Sequence, residues 1–258
     1  MQNLLSAGFM RLRKSRLFWL FIAAETVFGA FLAWMLYYYI GENITISAFM
    51  PMFYLCIVEA VFCGFFIGTD YSDGTVRNKL TVGQTRENIY LSNLIICSFA
   101  GAAVFLTHIT VFLAVGLLFI GPVIVPTMLF IKVLCAIFNV VACASLFTMI
   151  SMLCSKIATA TVTNIFVSLG TIVAGVYAFA FYSESKYLPD GTANYRYIGG
   201  AARAVLWFFE SVLPSSSALV VMAHNSYLVC LRVILCSVAE AAIFTLIGLW
   251  AFRRKNIN

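Results

Sequence analysis

Six apolar stretches of about 20 residues each, separated by shorter polar segments, set the pattern of this sequence. A bilayer core of ~30 Å takes ~20 apolar residues as a helix. Helices are required there because an unpaired backbone amide in hydrocarbon costs several kcal/mol. We therefore predict an all-α integral membrane protein with six transmembrane helices. The predicted spans are residues 17–40, 44–68, 92–120, 128–153, 160–182 and 233–252.

Two further segments are amphipathic rather than uniformly apolar. Residues 1–16 mix apolar with basic positions and precede the first span. That span is longer than a signal-peptide core and no small-residue cleavage site follows it, which predicts a retained helix. Residues 183–232 begin with turn formers and continue with an apolar helical pattern over 201–213 that Pro214 is expected to stop. Such a helix lies in the outer interface or dips partway into the membrane as a re-entrant segment.

Composition supports a membrane protein. Of the 258 residues, 63% are hydrophobic and 10% charged, whereas a soluble domain has about 45–50% apolar and roughly 25% charged residues. The net charge of +6 does not indicate nucleic-acid binding, because the basic residues flank apolar runs instead of forming a basic face. The eight cysteines lie in or beside apolar runs without metal-ligand spacing, so we expect neither a metal site nor disulfides.

The distribution of Lys and Arg predicts the orientation. With the N-terminus in the cytoplasm, eleven of the sixteen basic residues fall on the cytoplasmic side. The opposite orientation would reverse that excess. Both termini are therefore predicted to be cytoplasmic, with residues 183–232 on the outside.

The segment between the second and third spans carries the most information. It reads TDYSDGTVRNKLTVGQTR from Thr69 to Arg86 and contains a polar turn that ends at Gly74. Val76 and Leu80 then form an i, i+4 apolar pair, which predicts a short helix before a second turn at Gly83. A short helix with apolar and basic groups is suited to docking on a soluble partner. The residues alone leave an ordinary solvated loop as the alternative.

This segment resembles the cytoplasmic loop of the permeases of type 2 ABC exporters. The resemblance rests on the order acidic-Tyr-Ser-x-Gly-Thr-x-Arg-x-Lys-Leu, here Asp70 to Leu80, followed by Gly83, Arg86 and Ile89-Tyr90-Leu91-Ser92. Chain length, six spans and the two amphipathic segments agree with that family. Many relatives have Glu where this chain has Asp70, which is a small departure.

The resemblance implies a coupling helix that sits on a nucleotide-binding subunit. It also implies an N-terminal connecting helix along the inner membrane surface, short external helices before the last span, and a permease dimer to whose interface spans one and five contribute. Gly170 and Gly175 give span five a small-residue surface suited to such packing. The residues that the resemblance assigns to coupling are Asp70, Tyr71, Gly74, Thr75, Arg77, Lys79 and Arg86.

No glycine in the chain is followed by lysine, so the phosphate-binding P-loop is missing. The chain is therefore predicted to have no enzymatic activity and no cofactor of its own. The resemblance implies that ATP and Mg²⁺ are bound by a separate ABC ATPase, in two copies per complex. The second permease would be another copy or a paralogue, in the cytoplasmic membrane of a bacterium.

Three glutamates, Glu25, Glu59 and Glu240, fall inside predicted spans. A rise of 1.5 Å per residue places them ~12–18 Å from the cytoplasmic edge. An ionisable group at such depth costs about 2.5–3.5 kcal/mol even on permissive scales. We hypothesise that at least one lines the translocation path and favours cationic cargo. The alternative is protonated carboxyls that are hydrogen-bonded between helices.

Other polar residues in the spans are interpreted structurally. His108, Asn139 and Asn164 are expected to form interhelical hydrogen bonds. Pro51 is expected to kink the second span.

Three classes of function compete on this sequence. The first is an exporter permease that moves an amphipathic or hydrophobic substrate, an antimicrobial peptide or a drug, using ATP hydrolysed by its partner. The second is a secondary transporter or channel that uses the glutamates as ion sites, although no inverted repeat is evident. The third is a membrane-embedded enzyme, but neither Gly-x-Ser-x-Gly nor His-Glu-x-x-His occurs.

Overall fold

The computed structural model describes residues 1–39, 48–119 and 126–256, and the regular secondary structure of these ranges is helical. Six helices are long and apolar enough to cross a membrane, as predicted. The helices are α1 (Gln2–Lys14), α2 (Arg16–Tyr39), α3 (Pro51–Ser72), α4 (Thr75–Thr81), α5 (Arg86–Phe119), α6 (Pro126–Leu153), α7 (Ile157–Tyr182), α8 (Gly200–Val212), α9 (Pro214–Ala223) and α10 (Tyr227–Arg254). The candidate spans lie in α2, α3, α5, α6, α7 and α10.

The helix boundaries differ from the predicted spans where helices continue past charged residues. α5 begins at Arg86 rather than residue 92, and α10 begins at Tyr227 rather than residue 233. Hydropathy marks only the part in hydrocarbon, whereas the backbone hydrogen bonds continue beyond it. The predicted positions 40, 44–47 and 120 lie outside the described residues. Pro51 occupies the first turn of α3, where its missing N–H is tolerated, so the predicted kink is wrong.

α3 lies at the centre of the bundle and packs against α5, α6 and α7. α2 packs mainly on α5, and α10 packs mainly on α6. α2 and α3 touch little, although they follow each other along the chain. A groove therefore remains between them, open on the outside of the bundle.

Two glycines one turn apart on α3 allow α7 to approach closely. A Cβ atom added at Gly64 would lie 2.6 Å from Thr161 Cα, and one added at Gly68 would lie 2.8 Å from Ile157 Cα. Both distances are too short for carbon atoms that are not bonded. The sequence Gly-x-x-x-Gly is a known signal for close packing of membrane helices, so this contact was readable from the chain.

α8 and α9 form a bent pair that closes one end of the bundle. Their axes differ by 92°, with the bend between Val212 and Pro214. Pro214 thus ends α8, as predicted, and starts α9. Asn139 Nδ2 donates to the carbonyl of Pro214 at 2.9 Å, and Ser215 Oγ donates to the carbonyl of Thr171 at 2.6 Å. These bonds fix α9 to both α6 and α7.

Polar side chains inside the bundle join helices, as predicted for the histidine and the two asparagines. Asn164 Nδ2 donates to the Ala60 carbonyl at 3.0 Å and to Ser151 Oγ at 2.8 Å, which links α7 to α3 and α6. His108 Nδ1 lies 3.0 Å from Glu25 Oε2 and links α5 to α2. Such bonds satisfy groups that have no water available.

Candidate functional site

The motif segment folds as a tight projection at the end of the bundle where α1 and the last turn of α10 lie. α3 ends at Ser72, and Gly74 then adopts a φ of 66°, which reverses the chain. This left-handed conformation is accessible to glycine without a steric penalty. Helix α4 follows, and Gly83, with a φ of 87°, turns the chain again before Arg86 begins α5.

A buried carboxylate clamps this projection to the bundle. Asp70 is 1% exposed, and its Oδ2 accepts a hydrogen bond from Lys79 Nζ at 2.9 Å. Its other oxygen accepts from Arg11 Nη1, and the Arg11 guanidinium lies over the Phe66 ring, 3.6 Å from its centroid. Asp70, Arg11 and Lys79, here called the Asp70 cluster, therefore connect α1, α3 and α4.

Positive charge exceeds negative charge in the Asp70 cluster, because one carboxylate contacts two basic side chains. Burial lowers the pKa of Arg11 from its ordinary value to about 10. Arg11 therefore keeps its charge at neutral pH. A carboxylate held between two cations has both oxygens occupied, and it holds its neighbours in place instead of remaining free for a partner.

At the same end of the bundle, a second group of contacts joins basic side chains to the carbonyls at the C-terminal ends of helices. Arg86 Nη1 donates to the Phe252 carbonyl at 2.9 Å and also to the Lys255 carbonyl. Lys255 Nζ donates at 3.0 Å to the carbonyls of Met152 and Cys154. The last carbonyls of a helix lack partners within the helix and carry partial negative charge, so cations are favourable there.

Tyr71 joins that second group from the end of α3. Its hydroxyl donates to the Met152 carbonyl at 2.6 Å, and Lys255 Nζ lies 4.0 Å from the centroid of its ring. Burial lowers the pKa of Lys255 from 10.5 to about 8. α3, α6 and the chain after α10 are thus tied together directly beneath the projection.

The outer face of α4 has a different character. Arg77, Asn78 and Thr81 are exposed, and Val82, at the end of the helix, is 80% exposed. Val76 on the opposite face is buried. The projection therefore presents a cation, two polar groups and an apolar side chain to the outside, over an anchored base. We call Arg77, Asn78, Thr81 and Val82 the α4 tip.

The seven residues assigned to coupling are brought into one region but divide by environment. Asp70, Tyr71, Lys79 and Arg86 are engaged with the bundle, and Gly74 supplies the turn. Thr75 is half-buried, and Arg77 is the exposed member of the set. Most residues of the motif therefore hold α4 against the bundle, and a smaller part of the motif is exposed.

The sequence did not identify the residues of the bundle that contact the motif segment. Arg11 was assigned to an amphipathic segment without a partner, and Lys255 was counted only for orientation. Arg13 and Lys14 follow Arg11 in the same helix, so basic character alone did not distinguish the residue that contacts Asp70. No local signal identifies the Met152 carbonyl as the acceptor for Tyr71, because that contact joins residues far apart in the chain.

The three glutamates of the spans lie in different surroundings. Glu25 lines the groove between α2 and α3, and its Oε2 accepts from the Tyr54 hydroxyl at 2.8 Å. Glu59 is 3% exposed and lies beside Cys63 and Gly101 inside the bundle. Glu240 is on α10 and is 6% exposed. Of the three, Glu25 is the one that combines hydrogen-bonded neighbours with access to a groove.

Comparison with known proteins adds no relative to this picture. No family model matches the chain, and no curated protein matches it at a significant level. The functional argument therefore rests on the motif segment and the geometry around it.

Proposed function

We propose that the chain is the permease subunit of an ATP-binding-cassette exporter, powered by ATPase subunits on separate polypeptides. The observation that supports this proposal most directly is the α4 projection. Its base is anchored to α1 and α3 through the Asp70 cluster, and its tip exposes Arg77 beside Val82. An ordinary solvated loop needs neither a buried ionic anchor nor an exposed apolar tip.

In this proposal α4 is the coupling helix and receives force from the ATPase. Movement of the α4 tip would pass through Lys79 to Asp70 and Arg11, and so to α3 and α1. α1 would be the connecting helix on the inner membrane surface, and α8 with α9 would be the external helices. Both termini would then be cytoplasmic, in agreement with the predicted excess of basic residues on that side.

The complex would contain two ATPase copies and a second permease, either identical or a paralogue. ATP and Mg²⁺ would bind to the ATPase subunits. α2 and α7 expose large apolar side chains, among them Val27 at 70% and Phe166 at 71%. Such faces suit contact with lipid or with the second permease. The substrate class proposed is an amphipathic or hydrophobic molecule, such as an antimicrobial peptide or a drug.

The test is to co-express the chain with a separately encoded ABC ATPase. ATP-dependent export is then measured, together with co-purification of the ATPase with the chain. Arg77→Glu should reduce coupled export at least about tenfold, because it reverses the charge of the α4 tip while leaving the Asp70 cluster intact. Arg13→Glu is a matched control, since Arg13 is exposed on α1 away from that tip. Wild-type export from Arg77→Glu, or an α4 tip that stays open to solvent in the active complex, would refute the assignment.

A second candidate function is a secondary transporter that couples to an ion gradient. The contact of Glu25 with His108 and Tyr54 favours it, because linked ionisable groups inside membranes often form proton relays. The chain alone in proteoliposomes distinguishes the two functions. Gradient-driven substrate flux without any ATPase would favour the transporter, whereas flux that requires both ATPase and ATP would favour the permease.

A further inference from the structure

The groove between α2 and α3 combines a wide apolar surface with one buried carboxylate. Its volume is about 920 Å³, and its lining includes Leu20, Val27, Phe28, Phe31 and Val58. Several of these side chains are well exposed, with Val27 at 70% and Leu20 at 59%. Among the lining residues, Glu25 supplies the only ionisable carboxyl.

The Glu25 carboxylate is held in place by neighbours that leave one oxygen free. Tyr54 donates its hydroxyl proton to Oε2 at 2.8 Å, and His108 Nδ1 lies 3.0 Å from the same atom. Within the described residues no hydrogen bond reaches Oε1. Glu25 is nevertheless only 5% exposed. A ligand that enters the groove therefore meets an acceptor whose orientation is already fixed.

His108 contacts the same oxygen of Glu25 as Tyr54 does. Its Nε2 is buried without a hydrogen-bond partner among the described residues. The contacts from α3 and α5 therefore converge on Oε2, and Oε1 is the oxygen that they leave for a ligand in the groove.

We propose that this groove binds a lipophilic amine, with the ammonium group against Glu25 Oε1 and the hydrocarbon along Val27, Phe28 and Phe31. An ammonium brings both the opposite charge and N–H donors for Oε1, which has no donor among the described residues. A neutral hydrocarbon chain would fill the apolar part but leave the carboxylate uncompensated. That such a ligand is exported cargo rests on the proposed function, whereas its binding does not.

The experiment uses the purified full chain in phosphatidylcholine nanodiscs, without ATP or any ATPase. A diazirine-bearing alkylamine is photo-cross-linked to the protein, and dodecylamine or dodecanol competes at increasing concentration. We expect peptides of α2 and α3 to be labelled, with dodecylamine displacing the probe and dodecanol displacing it far less. Glu25→Gln keeps the shape and removes the charge, so the dodecylamine concentration at half-displacement should rise at least about tenfold.

Two further variants keep the test decisive. Glu240→Gln is the matched control, because Glu240 lies on α10 and does not line the groove, and it should bind as wild type does. Val27→Trp fills the groove from an exposed position, so it should fold normally and lose labelling even if Glu25→Gln is unstable. Retained labelling in Val27→Trp would overturn the site.

The other possible outcomes of the labelling experiment also test the proposal. Equal displacement by dodecanol and dodecylamine in the wild type would mean that the groove takes lipid chains, and the proposal would be wrong. Absence of labelling on α2 and α3 in the wild type would mean that the groove does not admit the amine, and the proposal would be wrong. A chain that binds the amine but whose substrate export does not depend on an ATPase would overturn only the proposed function. A chain whose export depends on an ATPase but that binds no amine would overturn only this inference.

Discussion

Asp70 Oδ2 accepts a hydrogen bond from Lys79 Nζ at 2.9 Å, across the turn that Gly74 makes between α3 and α4. Arg11 occupies the other carboxylate oxygen. Three helices therefore meet at a side chain that is 1% exposed. This contact gives α4 a fixed orientation, which a seven-residue helix would not keep by itself.

The Asp70 cluster is expected to contribute to stability as a unit. Asp70→Asn should lower the free energy of unfolding by about 2 kcal/mol, less than for fully buried pairs because Arg11 and Lys79 are 32% and 21% exposed. Thermal unfolding in detergent measures this effect. In a double-mutant cycle, Lys79→Met should add little once Asp70 is changed. Asp73→Asn, at an exposed neighbour, is the control, and an equal loss there would contradict the prediction.

The close approach of α3 and α7 is expected to depend on Gly64. Gly64→Ala places a Cβ atom 2.6 Å from Thr161 Cα, so the helices must separate, at a cost of about 1–3 kcal/mol. Gly170→Ala is a matched control on α7, because nothing lies within 4 Å of its added Cβ atom. That variant should be neutral or more stable by up to about 1 kcal/mol, since alanine favours helix. Similar melting temperatures for the two variants would rule out the packing argument.

Arg86 is expected to hold the end of α10. Arg86→Ala removes the donors to the Phe252 and Lys255 carbonyls, and it should cost about 1–2 kcal/mol. Hydrogen exchange should show faster opening of the last turn of α10. Arg86→Lys should recover part of the loss, while Arg13→Ala should leave both measurements unchanged. Unaltered exchange at Phe252 in Arg86→Ala would show that the capping contact is unimportant.

Lys255 predicts a specific dependence of stability on pH. Burial lowers its pKa to about 8, whereas an unfolded lysine titrates near 10.5. Between these values the unfolded chain binds more protons, so this group makes the folded state more stable as pH rises from 8 to 10.5. The melting temperature of wild type relative to Lys255→Met should therefore increase over that range and stay constant below pH 7. A decrease over the range would mean that the folded pKa is raised instead.

The six helices were predictable because lipid imposes length and hydropathy on every span. α2, α6 and α7 begin within a few residues of their predicted starts. Boundaries such as Arg86 and Tyr227 were not predictable, because a helix that leaves the hydrocarbon continues for as long as its backbone hydrogen bonds and caps allow. Gly64 and Gly68 were readable as a packing signal and were missed.

The candidate site was predictable in position but not in the roles of its residues. The motif located the turn at Gly74 and the short helix after it, both of which the structure contains. It treated Asp70 and Arg77 alike, although one is buried in an ionic contact and the other is exposed. Asp70 is covered partly by Arg11 of α1, which is distant in sequence, so no local pattern could have separated the two residues.

The attachment of α9 has a consequence for how motion crosses the molecule. α9 is bonded to the middle of α6 through Asn139 and to α7 through Ser215, and the last turn of α6 accepts the hydrogen bond from Tyr71 at the end of α3. In the proposed permease, a displacement of α4 would therefore move α6 and α9 together, without a separate flap on the far face. The stroke at one surface would then set the aperture at the other.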